Sequence, residues 1–426
     1  MKALVCVLMF LSAHHFSQAQ RLCGTAEYTK QLLSANPSLQ QQYAKIDKQI
    51  ATALNAKNQQ IANRDTSANE LIYIPVVIHI LYKSAGENIS DDQVRSQLES
   101  LNNDYRNLNA DTVNTPSAFK GLVADTRIQF CLARVDPLGK STSGIDRKYT
   151  DNSFFLTDDA MKSTAQGGID SWDSKHYLNI WICRLSGRAL GYATPPGGPA
   201  DKDGVVIAYD VFGARGNIRA PFNKGRTATH EIGHWLGLIH TWGDAACGDD
   251  HVDDTPAQSS YNFGCPSFPK LSACSPNGNG DMFMNFMDFT DDACMNMFTI
   301  GQAKRMRALF ATKNIRNEFL NSFACDSSVV QGGPLPVDTS VVIATPVASV
   351  KIYPNPVHTN IMVEYKAASQ TTTKNITIYN AIGVRVFTTA ITKEISSFDL
   401  SKYAAGIYIV KVNDGKNTSV TKIIKE

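Results

Sequence analysis

The sequence has no CxxC pair, almost no net charge and, beyond its first residues, no apolar run long enough to cross a bilayer. Each lack closes a class. Without CxxC, a cysteine-ligated structural zinc site lacks its usual spacing. With 41 Lys and Arg against 39 Asp and Glu, the formal net charge of +2 offers neither nucleic acid nor an anionic membrane surface an electrostatic reason to bind. Without such a run, no segment after the first residues is expected to span a membrane. What remains is 426 residues, 43% hydrophobic and 19% charged, with length for roughly two to three domains and material for a sizeable core.

The amino terminus reads as a signal peptide, residues 1–19. Lys2 is the positive end, Ala3 through Ala13 form the apolar stretch, and Ser17-Gln18-Ala19 supplies small residues for cleavage after Ala19. An uncleaved anchor competes with this reading, but the apolar run is too short to span. The protein is therefore expected to be secreted or on the cell surface. Cys6 leaves with the signal and eight cysteines remain; Cys247, Cys265, Cys274 and Cys294 lie close together, and an oxidising space favours disulfides there.

Residues 20–64 are polar, with thinly spread apolar residues, and read as a pro-segment or a linker with weak helix and no core of its own. Order rises sharply afterwards. Leu71 to Tyr82 (LIYIPVVIHILY) is a nearly continuous apolar run, the pattern of a strand buried on both faces, and its His79 reads as a core residue. Ser90-Asp91-Asp92-Gln93 reads as a capping box that opens a helix carrying Val94, Leu98, Leu101 and Tyr105 on one face. Thr126 to Val135 and Tyr177 to Cys183 are further strands, so residues 65–326 form an α/β sheet domain. Residues 327–349, dominated by Ser, Val, Pro, Gly and Thr, are a linker. Residues 350–426 carry short alternating runs between Gly and Asn turns, the pattern of a small all-β sandwich.

The chemistry concentrates in His230-Glu231-Ile232-Gly233-His234-Trp235-Leu236-Gly237-Leu238-Ile239-His240. On a helix His230 and His234 stand one turn apart on one face and can share a metal. Glu231, beside the first ligand, is placed as general base. Gly237 permits a left-handed turn that brings His240 in as a third nitrogen. Three neutral histidines leave a fourth zinc position open, the arrangement of a catalytic site. HExxH alone turns up by chance in roughly one chain in twenty of this length, whereas adding Gly237 and His240 brings that to about one in ten thousand. The competing readings are a core helix with surface histidines and, more seriously, a surface-binding protein built on a degenerate metallopeptidase domain, which has no need to retain Glu231 and every ligand.

This segment resembles the metzincin metalloproteases, whose methionine turn has a counterpart in Asn285-Phe286-Met287-Asp288-Phe289. Gly225-Arg226-Thr227-Ala228-Thr229, Thr241-Trp242-Gly243, Asp254-Thr255-Pro256-Ala257 and Thr290-Asp291-Asp292-Ala293-Cys294-Met295 narrow the resemblance to the pappalysin family and its small microbial, ulilysin-like members. The resemblance covers roughly residues 71–325. It implies an α/β (α+β) metzincin-type domain with a mixed sheet above, the zinc helix in the middle and a lower subdomain of loops. It implies a zinc endopeptidase acting on protein or peptide substrates, with Glu231 transferring protons and His230, His234 and His240 holding the ion.

Further implications follow residue by residue. Gly191, Tyr192 and Ala193 occupy the place of the edge strand that pairs with substrate; Pro195 and Pro196 after them predict a short strand. Cys247 pairs with Cys274 and Cys265 with Cys294, while the partners of Cys131, Cys183 and Cys325 stay open, a Cys131–Cys183 bridge requiring neighbouring strands. Asp292 selects Arg or Lys immediately after the scissile bond; the competing reading is an aspartate that caps a turn or binds a backbone amide. Asp253, Asp254 and Thr255 match a calcium-binding stretch. Cys23 matches a pro-segment cysteine that takes the open zinc position and keeps the enzyme a zymogen; a disulfide with a spare cysteine is the alternative. Phe289 departs from the family's usual tyrosine, and losing that phenol from the oxyanion costs about 10²–10³ in rate. Finally, Tyr353-Pro354-Asn355-Pro356, the run Ala405 to Val412 and the basic end Lys422-Ile423-Ile424-Lys425 resemble the C-terminal sorting domain of the type IX secretion system, which implies export machinery as a partner.

Overall fold

The apolar run after residue 70 becomes the central strand of the first sheet, β1 (Ile72–Tyr82). The computed structural model describes residues 22–60, 71–325 except 188, 312 and 323, and 349–426 except 367–373, 381–384, 392 and 414–417. The expected signal segment, the end of the 20–64 segment and linker residues 327–348 lie outside these. Two helices come first, α1 (Thr25–Ala35) and α2 (Leu39–Gln60). After β1 come α3 (Asp91–Tyr105), β2 (Ile128–Leu132), β3 (Ile145–Tyr149), β4 (Leu178–Cys183), β5 (Gly191–Ala193), β6 (Val205–Ala208), α4 (Arg226–Trp235) and α5 (Ile300–Ala308). The sheet order is β2-β1-β4-β6-β5, with β3 pairing the second half of β1. All pairs are parallel except β5 against β6, so β5 is the antiparallel edge of a mixed sheet. It has three residues, as the two prolines beyond it require.

β1 is buried on both faces: Ile74, Val76, Ile78 and Ile80 enter the main core, while Val77 packs with Ala133 and Tyr177, and Leu81 joins the cluster of Trp181 and Tyr192, as its nearly continuous apolar sequence needs. His79 sits fully buried in the core with Nε2 3.0 Å from Asn179 Oδ1 and Nδ1 3.6 Å from Asp146 Oδ2. Val94, Leu98, Leu101 and Tyr105 put the apolar face of α3 into the main core. The Ser90 hydroxyl caps α3 by accepting the Gln93 N–H at 3.1 Å. Gln93 does not close a capping box. Its amide instead donates to Tyr209 O at 3.0 Å and Phe212 O at 2.9 Å, while Gln97 donates to Gly225 O at 2.9 Å. These buried glutamines fix the loop that leads into α4. Ile46 and Ile50 of α2 enter the same core, so the amino-terminal helices borrow a core rather than building one.

Cys131 is bonded to Cys325, closing a loop with a sequence separation of 194 and tying the end of the catalytic domain to β2. A loop of that length corresponds to about 5 kcal/mol of stabilisation in the chain-entropy picture. The conditional Cys131–Cys183 bridge does not form: Cys183 is a buried free thiol, because β1 stands between β2 and β4. Cys247 is bonded to Cys274 and Cys265 to Cys294 in the lower, loop-rich half.

The carboxy-terminal part is all β, in β7 (Ser349–Tyr353), β8 (Asn360–Lys366), β9 (Lys374–Asn380), β10 (Arg385–Ile391), β11 (Ile395–Asp399), β12 (Gly406–Asn413) and β13 (Thr418–Lys425). Two sheets, β10-β9-β12-β13 and β11-β8-β7, enclose one core around Val363, Ile378, Val410 and Ile423, a small sandwich. Asn355 ties its two signature ends together, donating to Lys422 O at 2.9 Å and accepting the Ile424 N–H at 2.8 Å. Among the described residues no helix is long and apolar enough to cross a membrane.

Candidate metal centre

Every residue of α4 is buried, so its start is built from buried polar partners. Gly225 precedes it at φ +78, and Asp292 Oδ2 accepts the N–H of Lys224 at 2.8 Å and of Arg226 at 3.2 Å, anchoring the positive end of the helix. The Arg226 guanidinium pairs with Asp104 at 3.2 Å and Asp111 at 2.6 Å. At the other end the Trp235 indole donates to Asp203 at 2.6 Å, and the buried Arg316 pairs with the same carboxylate at 2.5 Å.

Between these anchors His230 and His234 face one way. Gly237, at φ +81, turns the chain back so that His240 joins them. The three Nε2 atoms lie 3.3, 3.2 and 3.0 Å apart. Each Nδ1 is fixed from behind: His230 on Phe286 O at 2.7 Å, His234 on Leu238 O at 2.9 Å and His240 on Asp244. A carbonyl only accepts, so for His230 and His234 the proton sits on Nδ1 and the Nε2 lone pair points inward. Burial, then the neighbouring His240, lowers His234 to about 3 and keeps it neutral, the ligating form. Nitrogens about 2.0–2.1 Å from one tetrahedral ion stand roughly 3.3 Å apart, so this donor set fits zinc. Cys23 completes the cluster; its Sγ and the three histidine nitrogens all lie within 4.8 Å of one another.

Met287 forms the floor. A Cβ on Gly233 would come within 2.5 Å of Met287 Sδ, so the glycine in the middle of the motif is the seat of the methionine. Asp288 behind it accepts the Asn262 N–H at 2.8 Å and the Gln258 amide at 3.0 Å, yet burial still pushes its carboxyl up to about 6. Phe289 packs its ring 5.7 Å from His230, 4.9 Å from His240 and 5.2 Å from Tyr261, while Trp242 stacks flat on His240 at 4.3 Å. The methionine turn therefore offers an apolar wall and no hydroxyl.

Above the histidines the segment preceding α1 lies along β5, parallel to it. Gly24 N–H donates to Gly191 O at 2.9 Å, and Leu190 N–H donates to Leu22 O at 2.9 Å. The Thr25 hydroxyl accepts the Ala193 N–H at 2.8 Å and donates to Glu231 Oε2 at 2.9 Å, and the Cys23 thiol also reaches Oε2, at 3.2 Å. A Cβ on Gly191 would meet Glu231 Cγ at 3.0 Å and the Val206 carbonyl oxygen at 2.8 Å, which explains a glycine there. In the lower half Asp254 caps α5 through Thr299 at 2.6 Å and Gly301 N–H at 2.8 Å, Thr255 donates to Asp250 at 2.8 Å, and Asp253 is exposed. Sequence reasoning missed Asp244, Thr25, Asp104 and Asp111. Only Asp244 carried a local signal, a carboxylate one helical turn after the third histidine.

A buried histidine triad on a kinked helix over a methionine floor, beside a glutamate and below an edge strand, defines a metzincin-type metallopeptidase centre. Residues 162–311 match the peptidase family M43 model described as pregnancy-associated plasma protein-A, and residues 351–426 match the secretion system C-terminal sorting domain. An extracellular metalloprotease of Pyricularia oryzae is 32% identical over 68% of this chain and 88% of its own length; one from Arthroderma benhamiae is 33% identical over 61% and 84%. Among solved structures, a promirolysin mutant of Tannerella forsythia superposes with a TM-score of 0.65 at 43% identity, covering 71% of this chain and 98% of that one. Mature mirolysin with a cleaved peptide gives 0.60 at 46%, covering 62% and 100%. The chain belongs to the pappalysin family of metalloproteases. It is a secreted or cell-surface metalloprotease with a type IX sorting domain, and the family implies zinc at the histidine triad.

Proposed function

We propose that the protein is a zinc endopeptidase made as a zymogen, in which the segment from residue 20 to residue 64 is an inhibitory pro-segment. The observation that carries this reading is the shared contact of Cys23 and Thr25 with Glu231 at the histidine triad. His230, His234 and His240 would hold zinc, which supplies Lewis acidity to a substrate carbonyl and acidity to water. Glu231 acts at Oε2, taking a proton as general base and returning it to the leaving amine. Gly191 O and Ala193 N–H, which now serve the pro-segment, bind substrate backbone by strand addition.

Latency follows from the same contacts. The pro-segment occupies the backbone sites of β5, the general base and the fourth corner of the metal cluster together. Burial and the Glu231 carboxylate push the Cys23 thiol well up, so ligation as thiolate depends on the metal. Cys23→Ala is expected to activate on the order of tenfold faster, the loss of one charge-assisted contact of about 1.5–3 kcal/mol. Thr25 and α2 still hold the segment, the latter through Asp47 and Arg305 at 2.8 Å. The rate of appearance of peptidase activity after purification measures it. An unchanged rate, or a mapped disulfide at Cys23, removes the switch.

Cleavage before Arg or Lys rests on Asp292, a fully buried carboxylate behind the methionine turn and held by backbone amides of the α4 entrance. An apolar side chain opposite a buried charge loses a few kcal/mol in discrimination. Asp292→Asn is expected to flatten the preference on a peptide library, whereas a lowered melting temperature with an unchanged profile would reduce Asp292 to a helix anchor. Calcium in the 253–255 stretch is supported by the convergence of Thr255, the Asp250 carboxylate and Val252 O, hard oxygen donors in one loop. Calcium added back to chelated protein is expected to raise its melting temperature by a few degrees, about 1 kcal/mol for a domain of this size; indifference to calcium sinks this part.

A further inference from the structure

We propose that the socket filled by Tyr28 becomes, once the pro-segment has left, a subsite for a tyrosine side chain of the substrate. The proposal rests on the reading of residues 22–60 as a removable pro-segment. Tyr28 sits one turn beyond Thr25, is 2% exposed and drops over the end of β5. Its ring lies 4.8 Å from the Tyr192 ring, and its hydroxyl donates to Asp159 Oδ2 at 2.6 Å. Lys162 Nζ stands 5.1 Å from the ring centroid.

Asp159, Lys162, Trp181 and Tyr192, which form the polar and aromatic walls of this socket, belong to the catalytic domain and hold one another without Tyr28. Asp159 sits in a left-handed conformation at φ +64, a strained position for a residue with a side chain. Its Oδ1 is engaged by the Tyr192 hydroxyl at 3.0 Å and by Lys162 Nζ at 2.9 Å, which leaves Oδ2 turned toward the phenol. Lys162 is itself fully buried and donates to Thr194 Oγ1 at 3.0 Å and Lys202 O at 2.9 Å. It also faces the rings of Trp181 at 5.3 Å and Tyr192 at 4.9 Å. The socket therefore combines an aromatic wall, a cation over the ring face and a carboxylate acceptor at the depth of a phenol oxygen. Phenylalanine fills the same space but brings no donor to Oδ2, and a site built to hydrogen-bond a hydroxyl discriminates strongly against the analogue without it. Because the socket opens past Ala193, at the end of β5 away from Gly191 and Glu231, the preferred tyrosine would fall at one position a few residues from the scissile bond.

The test uses the processed enzyme and a peptide library with Tyr, Phe, Leu and Ala scanned through every position around the cut. The expected result is a preference for Tyr over Phe of about tenfold at a single position, collapsing in Asp159→Asn. The ratio within one enzyme is insensitive to the fraction of variant that folds. Alongside, a synthetic peptide of residues 22–35 with Cys23→Ser is assayed as an inhibitor; Tyr28→Phe is expected to weaken it about tenfold and Tyr28→Ala further. A profile indifferent to Tyr, Phe and Leu at every position overturns the subsite, even where Tyr28→Ala weakens the peptide. If instead the library shows the tyrosine preference while no peptide inhibits, the socket stands and the pro-segment reading fails.

Discussion

Glu231→Ala is expected to lower kcat/KM by about 10³–10⁴ while bound zinc is unchanged. The expectation separates two jobs that the motif interleaves. The three Nε2 atoms that would hold the ion belong to His230, His234 and His240, each oriented from behind by Phe286 O, Leu238 O or Asp244, and none of these contacts involves Glu231. The carboxylate instead points up toward β5, where its Oε2 now receives Thr25 and Cys23. Removing it deletes the proton carrier and leaves the cage. Metal analysis and peptide hydrolysis on the same processed sample check both halves. Substantial turnover in a zinc-replete variant would exclude Glu231 as the base, and loss of zinc would show that the carboxylate shapes the cage.

The second large effect is on stability. Arg226→Met is expected to destabilise the catalytic domain by about 3–5 kcal/mol at neutral pH, the cost of stranding buried carboxylates. Arg226 is 4% exposed and stands between Asp104 and Asp111, and its guanidinium also donates to Asp292 O and Met295 O. Burial pushes Asp104 up to about 6 in spite of the arginine. Burial would raise Asp111 too, but hydrogen bonds and charge from Arg226 prevail and bring it to about 2. The two signs differ. The Asp111 contribution is present above its unfolded value near 4 and is lost as pH falls toward 2. Asp104 binds its proton more readily in the folded state, so its contribution falls as pH rises from about 4 to 6. In the variant both carboxylates shift upward, so its deficit should be largest at neutral pH and shrink in acid. Urea unfolding at about pH 5 and about pH 7.5 measures this; a deficit independent of pH would mean that lost packing, not stranded charge, is the cause.

How much was legible depends on how local the signal is. The histidine triad, Glu231 and Met287 are written within short segments because one helix, one turn and one glycine hinge assemble them. β1 was legible because burial on both faces leaves an unbroken apolar run. The two lower disulfides came through likeness, not through spacing. The Cys131–Cys325 bond was not legible, since its sulfurs meet only after the whole sheet has formed. The same holds for Gln93 and Gln97, whose side chains reach across to residues 209–225. It holds too for the Tyr28 socket, where Asp159 and Lys162 share one short turn, Tyr192 sits on the edge strand and Tyr28 comes from far earlier in the chain. Asp292 shows the limit from the other direction. The family pattern implied a pocket base, the residue type in a loop equally allowed a binder of backbone amides, and the amide contacts are present at the α4 entrance.

The Cys131–Cys325 bridge also has a mechanical meaning. Cys325 is where the described catalytic part ends, and the sorting domain follows further along the chain. A pull applied through that domain passes at Cys325 directly into β2, at the far side of the sheet from β5. Tension entering through the sorting domain would thus meet the sheet at β2, its edge opposite β5, by a covalent route that does not run through α5, α4 and the histidine triad.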